Sequence, residues 1–257
     1  MKTEQLIKSI DKMTAYHGGK QRIGKQLAEA IVDESLDIAE EEGFDIKGYC
    51  EPFCGMLGVY KHIPELFEEE GLDDLNYLAG DTNGSVIAMW KAAQQGWKPP
   101  TTCSETKYNK LKNAEDSAVR GFIGHQCSFG GQFFNGYSKK YDVSKNPGKA
   151  AKRVIKIGDD LSDVKFKKTH YDGFSSLRNF IIYCDPPYNS TISRYSSGEF
   201  DSSRFFEWCR RMSKHNLVFV SEYQAPKDFH LIYEAKKINR SCYGFHNCKK
   251  TEKLYLV

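Results

Sequence analysis

A chain of 257 residues that is 40% hydrophobic and 13% aromatic can bury a large core, either as one domain with an insertion or as two domains. Its net charge is only +3, no run approaches the apolar length of a membrane span, and Met1-Lys2-Thr3-Glu4-Gln5 lacks a secretory segment, so an intracellular protein is expected. Eight cysteines without a Cys-x-x-Cys pair read as reduced core side chains and argue against a metal site.

The first signal along the chain is Thr14-Ala15-Tyr16-His17-Gly18-Gly19-Lys20. Ile23, Leu27, Ile31, Leu36 and Ile38 then recur near helical spacing and predict a helix from about 23 to 41. Glycines ahead of a helix let backbone approach a ligand, while an aromatic ring and a lysine can stack on it and pair with its charge. The same segment also reads as a plain loop and helix start.

The stretch 48–60 is a short apolar run opening into Glu51-Pro52-Phe53-Cys54-Gly55-Met56-Leu57-Gly58, the order of a nucleotide-binding βα turn. Gly55 and Gly58 are three apart, so the Gly-x-Gly-x-x-Gly pattern of nicotinamide enzymes is absent. A second strand, 76–81, ends in Asp81 and precedes a helix predicted over 85–95. An acid there can accept hydrogen bonds from ribose hydroxyls, and Asp81 or Asn83 can equally satisfy the free N–H groups of the helix.

Residues 101–169 break the alternation. A helix is predicted over 104–119, followed by a glycine-, amide- and aromatic-rich stretch over 121–137 that suits either an aromatic core loop or a segment offering stacking faces to a ligand. Between Ser138 and Lys168 stand ten Lys or Arg against four Asp, with a helix predicted near 148–161. Such a run is either a solvated basic face or a surface for phosphates.

The apolar run Phe180-Ile181-Ile182-Tyr183-Cys184 reads as a buried strand that stops at Asp185-Pro186-Pro187-Tyr188. Two prolines end the strand and hold the following carbonyls in set directions. An exocyclic amine on an aromatic base is a poor nucleophile, because its lone pair is shared with the ring. The Asp185 carboxylate and the Pro186 carbonyl can accept its two N–H groups, and Tyr188 offers a face on which the base can stack, so this corner suits methyl transfer to such an amine. A helix over about 203–214, a strand over 217–221 and two short strands near 232–238 and 253–257 complete the pattern.

Taken together, these stretches resemble the Dam-type family of adenine-specific DNA methyltransferases over nearly the whole chain. The order, with the Tyr-His-Gly-Gly-Lys segment first, the Glu-Pro-Phe-Cys-Gly turn second, Asp81 third, the insertion fourth and Asp-Pro-Pro-Tyr last, resembles the family's alpha arrangement. Here Tyr16 and His17 stand where the family usually has a tryptophan, and Leu57 replaces a common glycine. The resemblance implies an α/β, Rossmann-like sheet with helices on both faces, a catalytic domain over 1–100 and 170–257, and an inserted, mostly helical target-recognition region over 101–169. It implies S-adenosylmethionine as methyl donor, held by Tyr16, Lys20, Phe53, Gly55, Asp81, Asn83 and Asp185. The corner Asp185, Pro186, Pro187 and Tyr188 is implied as catalytic, Tyr171 and Asp172 as lying near the donor's adenine, and no metal is required.

The expected activity is direct transfer of a methyl group to the amino nitrogen of an adenine flipped out of double-stranded DNA, with pairing to a restriction endonuclease possible. Alternatives are methylation of another planar amine, in cytosine, RNA or glutamine, and an inactive DNA-binding relative.

Overall fold

The computed structural model describes residue 16 and residues 18–138, 147–187, 200–235 and 251–257. Its strands are β1 (Gly48–Glu51), β2 (Asn76–Asp81), β3 (Lys165–Lys168), β4 (Phe180–Cys184), β5 (Leu217–Glu222), β6 (His230–Glu234) and β7 (Lys253–Leu256). They form one sheet in the order β3-β2-β1-β4-β5-β7-β6. The first five run parallel, and β7 lies antiparallel between β5 and β6.

Every residue of β4 and β5 is buried, as a central parallel strand covered on both faces requires. Side-chain alternation divides the core into two layers. Tyr49, Ile181, Tyr183 and Phe219 join one layer, whereas Cys50, Ile182, Cys184, Val218 and Val220 join the other.

Seven helices are described: α1 (Gly24–Glu42), α2 (Ile63–Glu69), α3 (Gly84–Gln94), α4 (Glu105–Lys112), α5 (Ala118–Gln126), α6 (Pro147–Asp160) and α7 (Ser202–Ser213). α1 carries Leu27, Ile31 and Val32 into the first layer, and α7 carries Phe205, Trp208, Cys209 and Met212 into the second. Helices therefore cover both faces of the sheet.

One expectation changes. The single helix predicted over 104–119 is two helices, because Ser104 and Ser117 each cap a separate start through bonds to the Lys107 and Arg120 amides at 3.2 and 3.3 Å. β3, within 101–169, pairs with β2 along the whole register from Leu78↔Lys165 to Asp81↔Lys168. Only Phe166 of β3 is buried, so its lysines occupy an exposed sheet edge. α6 packs with α3 in the same layer, where Gln94 Nε2 donates to the Leu161 and Val164 carbonyls at 2.7 and 2.8 Å.

No described helix is long and apolar enough to cross a membrane.

Candidate active site

Strand order reverses between β1 and β4, so the connections leaving their carboxyl ends diverge and open a crevice. The turn after β1, Asp81 of β2, Asp185 after β4 and Glu222 of β5 all lie along this edge. β7 runs the other way, so its first residues return to the same edge, with Lys253 opposite Glu222.

At the end of β4 the Asp185 Oδ1 accepts a charge-assisted hydrogen bond from Lys20 Nζ at 2.5 Å. The Lys20 side chain is 3% exposed and that of Asp185 is 21% exposed, so the carboxylate reaches solvent while the ammonium is buried. Glu252 Oε1 is 3.5 Å from the same ammonium, and the Gly18 carbonyl is 3.4 Å away. One lysine thus joins the amino-terminal segment, the β4 corner and the approach to β7. A buried ammonium demands such partners.

The turn after β1 is built by a second set of contacts. Gly55 has φ +43°, and its amide donates to Asp81 Oδ2 at 3.0 Å. Asp81 Oδ1 accepts from the Asn83 amide at 2.8 Å, and Trp90 Nε1 donates to the Gly55 carbonyl at 2.8 Å. A side chain at Gly55 would come within 2.8 Å of the Tyr16 ring, so glycine serves both the backbone conformation and the close approach of that ring. Gly58 meets the Lys20 backbone in the same way, at 3.1 Å. The two amino-terminal candidates are thereby docked on the turn.

Leu57 adopts φ +54°, a left-handed conformation, at a position where the resemblance would place glycine. Its side chain is fully buried, so packing offsets the backbone strain.

Burial pushes the Asp81 carboxyl above its ordinary value, opposed by the amides of Asn83, Gly55 and Thr82. Asn83 caps α3, its Oδ1 accepting from the Ser85 amide at 3.1 Å. Phe53 is half-buried and packs on Tyr171, Phe200 and Phe205 at ring distances of 5.7, 6.0 and 5.6 Å. Asp172 points elsewhere, into exposed contacts with His170 Nδ1 at 3.1 Å and with the Arg204 guanidinium at 3.3 Å.

The corner and the turn therefore lie along one sheet edge, where contacts link Tyr16 to Gly55, Lys20 to Asp185 and Gly58, and Asp81 to Gly55 and Asn83; Phe53 belongs to the same turn, and Pro186 and Pro187 continue the corner. Tyr188 and His17 lie outside the described residues. The sequence reading missed three glutamates at this edge: Glu51, Glu222 and Glu252. Glu51 accepts from the Tyr49 hydroxyl at 2.8 Å, and burial pushes its carboxyl well up. Their one signal in sequence is an acid ending an apolar strand at Glu51 and Glu222.

Residues 130–254 match the family of D12 class N6 adenine-specific DNA methyltransferases. The matched stretch contains Asp185, Glu222 and Glu252, while Tyr16, Lys20, Gly55 and Asp81 precede it. The match supports an S-adenosylmethionine-dependent adenine methyltransferase. Among solved structures, an rRNA methyltransferase, aviRa from Streptomyces viridochromogenes, aligns at a TM-score of 0.39 and 11% identity, covering 91% of this chain and 84% of that one. No curated protein matches the chain.

Proposed function

We propose that the chain moves a methyl group from S-adenosylmethionine to the exocyclic amine of an adenine flipped out of double-stranded DNA. The observation that carries this reading is the Lys20–Asp185 ion pair at the β4 corner, set beside the turn that Gly55 and Asp81 build.

The residues suit such a donor. Gly55 and Gly58 lack side chains where the turn is closely approached, and the carboxylates along the edge answer a cation. Tyr16, Phe53, Gly55, Asp81 and Asn83 would hold the donor, with lone pairs of the Asp81 carboxylate remaining for a ribose hydroxyl beside its two amide bonds. When bound, S-adenosylmethionine supplies an electrophilic methyl carbon on a positively charged sulfur.

The protein's own work is positioning and electrostatic stabilisation. The Asp185 carboxylate and the Pro186 carbonyl accept the two N–H groups of the target amine, which draws its lone pair out of conjugation. Lys20 fixes the orientation of that carboxylate. Pro186 and Pro187 keep the corner from relaxing. Tyr188 supplies the stacking face that the motif implies.

DNA contact is assigned to the insertion and its basic surface. Ser128 and Tyr137 form an antiparallel bridge, and the Phe129 amide donates to the Gly136 carbonyl at 2.9 Å, so 128–137 is a hairpin-like loop. Phe129 stands on it 55% exposed, an aromatic face available for stacking. Lys149 of α6 and Lys165, Lys167 and Lys168 of β3 are exposed and suit phosphate contacts.

Incubation with labelled donor and unmodified duplex DNA, followed by nucleoside analysis, tests this reading. Label in N6-methyladenine supports it. Label only in cytosine, RNA or protein would replace it.

A further inference from the structure

Glu222 is one of three buried glutamates at the site, with Glu51 and Glu252, that the reaction as described leaves unused. It ends β5, next to the strand that delivers Asp185, and is 5% exposed. Its Oε1 accepts the Tyr223 amide at 2.8 Å. The charged groups that face it are Asp185 after β4, Glu252 before β7, Lys20 from the amino-terminal segment and Lys253 opposite it in the β5–β7 register. Lys20 is committed to Asp185 at 2.5 Å and Glu252 at 3.5 Å, and Lys253 makes no ion pair with Glu222 among the described residues. Asp185 and Glu252 thus both draw on the Lys20 ammonium, and among the described residues Glu222 has no cation at contact distance.

A carboxylate in that position is unfavourable unless a positive charge arrives. Burial, with the charges of Asp185 and Glu252 adding to it and the Tyr223 amide opposing, pushes the Glu222 carboxyl up to about 7. A sulfonium ligand is such a charge, and the thioether left after transfer is not.

We propose that Glu222 is a proton-linked counter-charge for the methyl donor: protonated in the empty site, it gives its proton to solvent when a sulfonium binds and recovers one when the sulfur becomes neutral. The inference rests on the donor reading above. The balance closes. As the amine nitrogen bonds the methyl carbon, the carbon–sulfur bond breaks and its electron pair stays on sulfur. The nitrogen, briefly cationic, sheds a proton, and the Glu222 carboxylate, now without its counter-cation, ends as the carboxylic acid. Glu222 acts through charge rather than by touching the reacting atoms, so it is a positioning residue, and it favours the charged donor over the neutral product.

The test is calorimetric titration of the whole protein with S-adenosylmethionine and with S-adenosylhomocysteine, in two buffers of different ionisation enthalpy. At pH 7 the parent is expected to release about half a proton per sulfonium bound and none for the thioether. At pH 8.5 the release should vanish, because the acid is already ionised in the empty site; this comparison needs no variant. Glu222→Gln should abolish the release at pH 7 and reduce the preference for the sulfonium about tenfold, the effect of about one pKa unit of interaction. Equal proton release for both ligands, undiminished release at pH 8.5, or undiminished release by Glu222→Gln overturns the inference while leaving the donor reading intact. Failure of the parent to bind either ligand would overturn both.

Discussion

Lys20 Nζ lies 2.5 Å from Asp185 Oδ1 across 165 residues of chain, and the pair is the joint between the amino-terminal segment and the β4 corner. Removing either charge does two things at once. Asp185→Asn takes the anion from the target amine and removes the nearer carboxylate from a buried ammonium that has Glu252 at 3.5 Å. Turnover should fall by at least about 10²–10³-fold. Stability should fall by up to about 3 kcal/mol, less than for a fully enclosed pair because Asp185 is partly exposed. Single-turnover methyl transfer and urea denaturation measure the two effects separately. Unchanged turnover in a folded variant would remove Asp185 from the chemistry.

Gly55→Ala tests the turn. A side chain there must adopt φ +43° and displace the Tyr16 ring from within 2.8 Å. The conformational part alone costs about 1–2 kcal/mol. Donor affinity, read by calorimetry, should drop with it, since both Tyr16 and the Gly55 amide bond to Asp81 move. Parent-like affinity would place the donor elsewhere.

Leu57→Gly sets two opposing effects against each other. Glycine releases about 1–2 kcal/mol of left-handed strain. Loss of a fully buried leucine side chain costs about 3–5 kcal/mol. The variant should therefore be less stable by about 1–4 kcal/mol in urea denaturation, and a stabilised variant would show that strain outweighs packing at this turn.

His125 gives a stability change with a defined sign. Burial pushes its imidazole down to about 4, partly opposed by the Gly131 carbonyl, which stands 3.0 Å from Nδ1. The unfolded chain takes up this proton near 6.5 and the folded chain only near 4, so stability contributed above pH 6.5 is lost as pH falls through that window. The loss amounts to about 3 kcal/mol at most. Denaturation midpoints of the parent and His125→Gln at pH 5 and pH 7 check it: the parent should lose more stability between the two than the variant.

Phe129→Ala should leave stability nearly unchanged, because the ring is 55% exposed, yet weaken duplex binding about tenfold if it stacks on bases. Binding should also weaken steeply with added salt. Parent-like affinity in fluorescence anisotropy would remove the loop tip from the DNA surface.

The strands most legible in the sequence are those buried on both faces. β4 and β5 read as apolar runs because helices cover them above and below. β3 was illegible for the opposite reason: an edge strand with one buried residue, Phe166, has no pattern to distinguish it from a basic loop. The corner at Asp185 and the turn at Gly55 could be found because proline and glycine mark backbone geometry locally. What those residues touch could not. The sequence offered Asp81 either a ribose or the free N–H groups at the following helix, but not its bond to the Gly55 amide of the neighbouring turn, which stands beside the Asn83 bond. Glu252 reaches Lys20 only because β7 returns antiparallel, a relationship set by tertiary pairing rather than by neighbouring residues.

The central claim, adenine methylation in duplex DNA through Asp185, is tested most directly by base-resolved sequencing of DNA from cells producing either the parent protein or Asp185→Asn at equal, folded levels. The account predicts N6-methyladenine at a recurring short sequence with the parent and its absence with the variant. Unmodified adenines in both samples, or equal modification in both, would contradict it.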